Sequence, residues 1–176
     1  MNLEELRYPI GRFTEAVPFT AAGRQAAIEQ LAALPAQARS AVAGLSDTQL
    51  DTLYRPGGWT VRQVVHHLAD SHMNALIRLK LALTEERPTI KPYDEDAWSR
   101  IADAQLPLDC SFAILDGVHE RLVVVCVTMT DDQWARTFVH PERGAVMTLA
   151  AHIQNYAWHS AHHVAHITRL RAREGW

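Results

Sequence analysis

Ten of the 176 residues are histidine, and most of them fall in two short stretches. His152, His159, His162, His163 and His166 crowd one, and His66, His67 and His72 the other. Imidazole carries protons near neutral pH and is the commonest metal ligand among side chains. On a helix, two histidines at i and i+4 share one face, a turn apart, and can bind one divalent ion together. Spacing by itself does not separate such a pair from histidines on a solvated helix or satisfied inside a core.

A helical wheel sorts the candidates. In the C-terminal stretch the apolar face is drawn by Leu149, Ile153, Tyr156, Val164 and Ile167. His159 and His163 fall at one edge of that face. His162 falls nearly opposite its centre and is expected to face solvent, and His166 lies slightly further out than His159. The favoured pair is therefore His159 and His163; His162 and His166 share its spacing with a worse orientation. In the other stretch Val61, Val65, Leu68, Leu76 and Leu79 draw the apolar face, with His72 near its middle. Periodicity thus nominates His72, either as a ligand or as a core histidine bonded to a neighbouring helix. His67 sits to the side, in a polar stripe with Gln63, Ser71, Asn74 and Arg78. That stripe is a plain solvated face or, because a bundled helix has two neighbours, the wall of a cavity. His119 shares an apolar face with Phe112, Leu115 and Cys126. It reads as a buried structural residue or as a partner behind a metal site, able to carry a proton.

Helices must position these residues. An Ala-rich helix is expected from about Thr20, a cap, to Gly44, a stop, with Pro35 kinking or dividing it. Thr60-Val61-Arg62-Gln63 has the form of a capping box and opens a second helix, which runs to about Glu86 before Pro88. A third fits Asp109 to Met129. The fourth runs from near Thr148 to about Glu174, with Arg169, Arg171 and Arg173 suited to its negative end. Arg87 to Trp98 reads as a loop with one helical turn, Asp131 as a short helical start, and Phe138 to Val146 as a small hairpin or loop. Residues 1–19, including Tyr8-Pro9-Ile10-Gly11, read as an irregular N-terminal arm. Four long amphipathic segments with little strand signal predict an all-α four-helix bundle, one domain over residues 1–176, with long inter-helix loops. Loops of that length in a compact domain are often functional.

Composition removes several classes of function. Hydrophobic residues at 48% and charged residues at 21% suit a globular core. With 17 Lys+Arg against 20 Asp+Glu and no basic block, the chain lacks the footprint of nucleic-acid binding. Its densest apolar run, Leu122 to Val127, is far short of the ~20 residues that cross a bilayer. Glu4 and Glu5 stand where a signal peptide would be basic, and no apolar region follows, so a cytoplasmic location is expected. Cys110 and Cys126 share one predicted helix at a rise of roughly 24 Å, too far for a disulfide. Both read as small buried hydrophobes in a reducing compartment.

The segment Trp59-Thr60-Val61-Arg62-Gln63-Val64-Val65-His66-His67-Leu68-Ala69-Asp70-Ser71-His72-Met73-Asn74 resembles the helix-two motif of the DinB/YfiT-like metalloprotein superfamily. Trp158-His159-Ser160-Ala161-His162-His163-Val164-Ala165-His166-Ile167 resembles its helix-four motif. The similarity is closest to YfiT-type metal-dependent hydrolases and extends over Tyr8 to Gly11, Arg78 to Tyr93 and Gly175-Trp176. The resemblance implies a four-helix bundle with a three-histidine metal site. By motif, the ligands are His67, His159 and His163. The wheel supports the second pair; His67 rests on the resemblance alone. It further implies one Zn²⁺ or Ni²⁺ per chain and a homodimer.

Three protein ligands leave an open position, the mark of a catalytic rather than a structural site. A divalent ion there can acidify a water and polarise a carbonyl, which makes a hydrolase of a small-molecule substrate. No His-Glu-x-x-His motif supplies a base, and Glu120 is expected to point away from the core, so the catalytic groups beyond the metal are not identified. The alternative is activation of a low-molecular-weight thiol, such as bacillithiol, by a metal-dependent S-transferase. Asn74 and Arg78 are candidates to hold such a cofactor or substrate. A third reading is a metal-binding stress protein without turnover.

Overall fold

The computed structural model describes residues 2–176, except for the side chain of Arg143. In chain order the elements are α1 (Leu3–Arg7), α2 (Ala21–Val42), α3 (Asp47–Leu50), α4 (Val61–Thr84), α5 (Glu95–Trp98), α6 (Asp109–Thr128), α7 (Asp131–Ala135), β1 (Thr137–His140), β2 (Ala145–Thr148) and α8 (Leu149–Glu174). The fold is a four-helix bundle of α2, α4, α6 and α8. No helix among the described residues is long and apolar enough to cross a membrane.

The helix starts follow local chemistry. Thr60 accepts from Gln63 N–H while Gln63 caps Thr60 in return, so the capping box opens α4 as expected. Thr148 accepts from Ala151 N–H and opens α8, and Gly175, with φ of 74°, closes it. Three expectations change. The arm is not wholly irregular: Asn2 and Glu5 form a capping box that starts α1. Pro35 does not divide α2, which runs unbroken with the proline buried; packing along its length against α6 and α8 outweighs one lost backbone bond. Cys110 is exposed at the first turn of α6, and only Cys126 is buried.

The packed pairs are α2 with α6 and α8, and α4 with α6 and α8. Two apolar clusters give the directions. One joins Ile28 and Leu31 of α2 to Leu79 of α4, Leu122 of α6 and Ile153 of α8. The other joins Leu34 and Ala38 to Leu68, Leu115 and Ile167. So α2 and α8 run one way, and α4 and α6 the other. The neighbours α4 and α6 are parallel, and residues 85–108 must travel the length of the bundle to connect them. That crossover is tied to the β1–β2 hairpin, where Val139 N–H donates to the Pro88 carbonyl at 2.8 Å and Ile90 N–H to the Val139 carbonyl at 3.0 Å.

Where the two clusters meet, the core turns polar: His72 of α4 lies against His119 of α6 and His159 of α8, and His67 against His159 and His163. The histidines form a belt between two apolar ends.

Candidate metal centre

Antiparallel packing of α4 on α8 brings His67 opposite His159 and His163. One ring nitrogen from each of the three lies within 4.8 Å of the others. The Nε2 atoms of His67 and His159 are 3.2 Å apart. An ion holding imidazoles tetrahedrally at about 2.0–2.1 Å sets its ligand atoms about 3.3 Å apart, so this spacing suits one. The three residues are 8% exposed or, for His159, only partly buried at the surface of the belt.

Burial keeps the three rings neutral. It pushes His67 down from 6.5 to about 4. His159 and His163 fall well below 6.5, by burial first and then by neighbouring imidazoles. Each ring therefore has one lone pair at neutral pH, and the surrounding bonds decide where it points.

For His163 the chain of bonds is closed. His166 Nε2–H donates to the Arg7 carbonyl at 3.1 Å, which leaves His166 Nδ1 as an acceptor. It faces His163 Nδ1 at 3.4 Å, so that atom carries the hydrogen and the lone pair lies on His163 Nε2. For His159, Nδ1 faces His72 Nε2 at 3.3 Å. With the hydrogen of this pair on His159, its Nε2 is free for a ligand. This is the usual support of a metal-bound histidine, whose second nitrogen is held by a neighbour.

The rings open onto a cavity of about 550 Å³ whose walls include Trp59, Ser71, Arg78, Tyr93 and Tyr156. Trp59 lies over His67 with ring centres 4.5 Å apart, and its indole N–H donates to Asp96 at 2.8 Å. The crossover thereby supplies one wall.

His67, Ser71 and Arg78 of the polar stripe line this cavity, and Asn74 does not: its amide donates to the Asp70 carbonyl one turn back at 2.9 Å. His72, the periodicity candidate, is fully buried behind His159. His119 lies behind His72, ring centres 4.7 Å apart, and donates from Nδ1 to the Leu31 carbonyl at 2.6 Å. It does not reach the cavity. His66 is held by Ser111 and the Leu106 carbonyl. Glu120 is exposed, pointing away as expected.

His162 corrects the wheel. It is 7% exposed rather than solvated, because the N-terminal arm covers that side of α8. Tyr8 lies 5.9 Å from it and Trp158 stacks on it at 4.4 Å. Gln154 clamps the arm to α8, accepting from Ala16 N–H at 2.8 Å and donating to its carbonyl at 3.3 Å. Sequence reasoning missed Arg7, Trp59, Tyr93 and Tyr156 as site residues. Only Tyr156 carried a signal, standing three and seven positions before His159 and His163 on one helix face.

Fold and site together define a class: helical bundles that turn three neutral imidazoles toward one polar cavity. The profile of the DinB superfamily matches residues 30–167, and the chain belongs to that superfamily. A Bacillus cereus (strain B4264) protein named "Putative metal-dependent hydrolase" is 49% identical over 174 residues, covering 99% of this chain and 100% of that one. A Bacillus anthracis (strain CDC 684 / NRRL 3495) protein of the same name is equally similar. The solved structure of YfiT from Bacillus subtilis is 48% identical, with a TM-score of 0.95 over 98% of this chain and 99% of that one. YfiT is described as a probable metal-dependent hydrolase with an unusual four-helix bundle topology.

Proposed function

We propose that this chain is a divalent-metal-dependent hydrolase of a small molecule, with the ion held by His67, His159 and His163. The observation that carries this reading is the convergence of three neutral imidazole nitrogens within 4.8 Å at the wall of a cavity. When bound, Zn²⁺ or Ni²⁺ supplies Lewis acidity: it polarises a carbonyl and acidifies a water. The chain contributes the rest. His166 fixes the tautomer and orientation of His163, and His72 packs against His159 Nδ1 and orients its ring. Trp59 packs against the His67 ring and holds it in place. Three protein ligands leave room for a substrate atom.

A second reading is metal-assisted transfer to a small thiol. It is favoured by the state of the acids along the cavity: Glu95, Asp96 and Glu142 are all exposed, Asp96 is engaged by Trp59 and Arg100, and none is bonded to the three imidazoles. Thiolate attack needs no such base, since the thiol is the acid that ionises.

Elemental analysis of tag-free protein tests the shared premise, with about one metal per chain expected. Ester and amide panels with and without an added thiol then separate the readings. Turnover without thiol supports the hydrolase, and turnover only with thiol and an electrophile supports the transferase. Metal without turnover in either format leaves the binder.

A further inference from the structure

Helix α4 buries two arginines, and the fold treats them oppositely. Arg62 is 7% exposed and is met by two carboxylates, Asp51 at 2.7 Å and Asp47 at 2.8 Å. Arg78 is 9% exposed and has no carboxylate within ion-pair distance among the described residues. Its partners are neutral and distant: the Tyr156 hydroxyl at 3.4 Å, the Lys91 carbonyl at 3.3 Å and the face of the Tyr93 ring, 5.9 Å from its centre. Its Nε–H is buried with no partner. A guanidinium cannot shed its proton to escape this, and an unpaired buried charge is costly.

The unpaired group faces the cavity. Arg78 lines it beside Ser71, Tyr93 and Tyr156. The exposed acids along the same cavity do not answer it; Asp96, for one, is engaged by Trp59 and Arg100. Arg78 follows His67 by eleven positions, close to three whole turns, so both present to the same side of α4 about 16 Å apart along its axis. The arginine leans back toward the N-terminus of the helix and shortens that span. Tyr156 bridges the gap: it touches Arg78 through its hydroxyl, and its ring centre is 5.6 Å from that of His159.

We propose that the substrate carries a carboxylate that pairs with Arg78, while the group to be attacked reaches the three-histidine end of the cavity. The planar guanidinium fork matches a planar carboxylate, one charge against one. This deepens the hydrolase reading and rests on it for the meaning of the far end, but the anion site itself does not need the metal.

The test is binding, not turnover. Butyrate and glutarate are titrated against the neutral butyramide and glutaramide, with inorganic phosphate as a third probe. Thermal midpoint and tryptophan fluorescence are read on wild type, Arg78→Met and Arg78→Lys, with metal content measured in each. The acids are expected to raise the wild-type midpoint and the amides to leave it unmoved. Arg78→Met is expected to weaken acid binding by about tenfold or more, keep its metal, and melt no lower than wild type without ligand. Arg78→Lys retains part of the response.

Equal response to acids and amides overturns the proposal, as does an undiminished acid response in Arg78→Met. Phosphate binding more tightly than either acid overturns the carboxylate assignment. An Arg78-dependent acid response in protein that takes up no metal sinks the hydrolase reading and leaves the anion site standing. Metal without any acid response does the reverse. If Arg78→Met fails to fold, the wild-type comparison of acids with amides and the Arg78→Lys response still decide.

Discussion

Two histidine pairs on α8 have the same spacing on the same helix: His159 with His163, and His162 with His166. They differ at His166, whose two nitrogens are both taken, while His162 keeps a buried Nδ1 without a partner. His166 spends Nε2 on the Arg7 carbonyl and Nδ1 on His163, and its ring stacks on Tyr54 with centres 3.9 Å apart. His163 and His159 are each backed at Nδ1, which leaves both Nε2 atoms for the cavity. Spacing says which rings share a face. Only partners far away in the chain say which lone pairs are already taken.

Acid is the broadest challenge, because it strikes both pairs alike. Burial holds His67 and His162 at about 4 and His166 at about 3, against 6.5 for an unburied ring. Between those values the unfolded chain binds more protons than the folded one, so stability is complete above 6.5 and falls as pH drops toward 4. Asp70 opposes this: burial and Asp103 raise it to about 6, so the folded chain binds more of its protons between 3.8 and 6. One carboxylate is outweighed by several imidazoles. The unfolding free energy of metal-free protein in urea should fall steeply below pH 6.5, by up to ~1.4 kcal/mol per pH unit for each ring that titrates fully, and the midpoint with it. A flat midpoint from pH 7 to 5 would mean that the rings are solvated.

Substitution then separates the pairs. His159→Ala or His163→Ala should each weaken zinc affinity by about a thousandfold, roughly 4 kcal/mol, in a chelator competition. Zinc retained in either variant would move the site elsewhere. His166→Leu removes a supporting bond rather than a ligand and should cost about 10–100-fold. An unchanged affinity there would show that His163 needs no orienting partner. The smallest effect is expected from His162→Ala: zinc affinity within about twofold, and a stability loss of ~1 kcal/mol from the lost stack on Trp158. A large loss of zinc in this variant would erase the distinction between the pairs.

The long helices were legible because their signals are local. Thr60 and Gln63 close a capping box within one turn, and Thr148 and Gly175 bracket α8 by themselves. The pair His159 and His163 was legible for the same reason. His67 was not: on a wheel it lies off the apolar face that His72 occupies, and only the family motif points to it. A wheel with one centre assumes one buried side, whereas α8 packs against α2, α4 and the arm. That third neighbour buries His162, which the wheel turned to solvent. Asn74 and Arg78 looked equivalent in the stripe, but a short amide reaches its own helix and a long guanidinium reaches the cavity. Trp59 and Tyr93 enter through turns and a crossover, where periodicity has nothing to say.

The directions of the four helices also have a kinetic side. Consecutive long helices never form a packed antiparallel hairpin: α2 and α4 sit diagonally, α4 and α6 are parallel, and α6 and α8 are diagonal again. Closing the bundle thus joins segments far apart in the chain, and loop entropy is lost before those contacts form, which slows folding relative to a simple up-and-down bundle. His67 waits 92 residues for His159, and Arg7 waits 159 for His166. A chain emerging from its N-terminus therefore presents its first imidazoles well before their partners exist. The centre is assembled late, and a chain that ends within the first turns of α8 lacks it altogether.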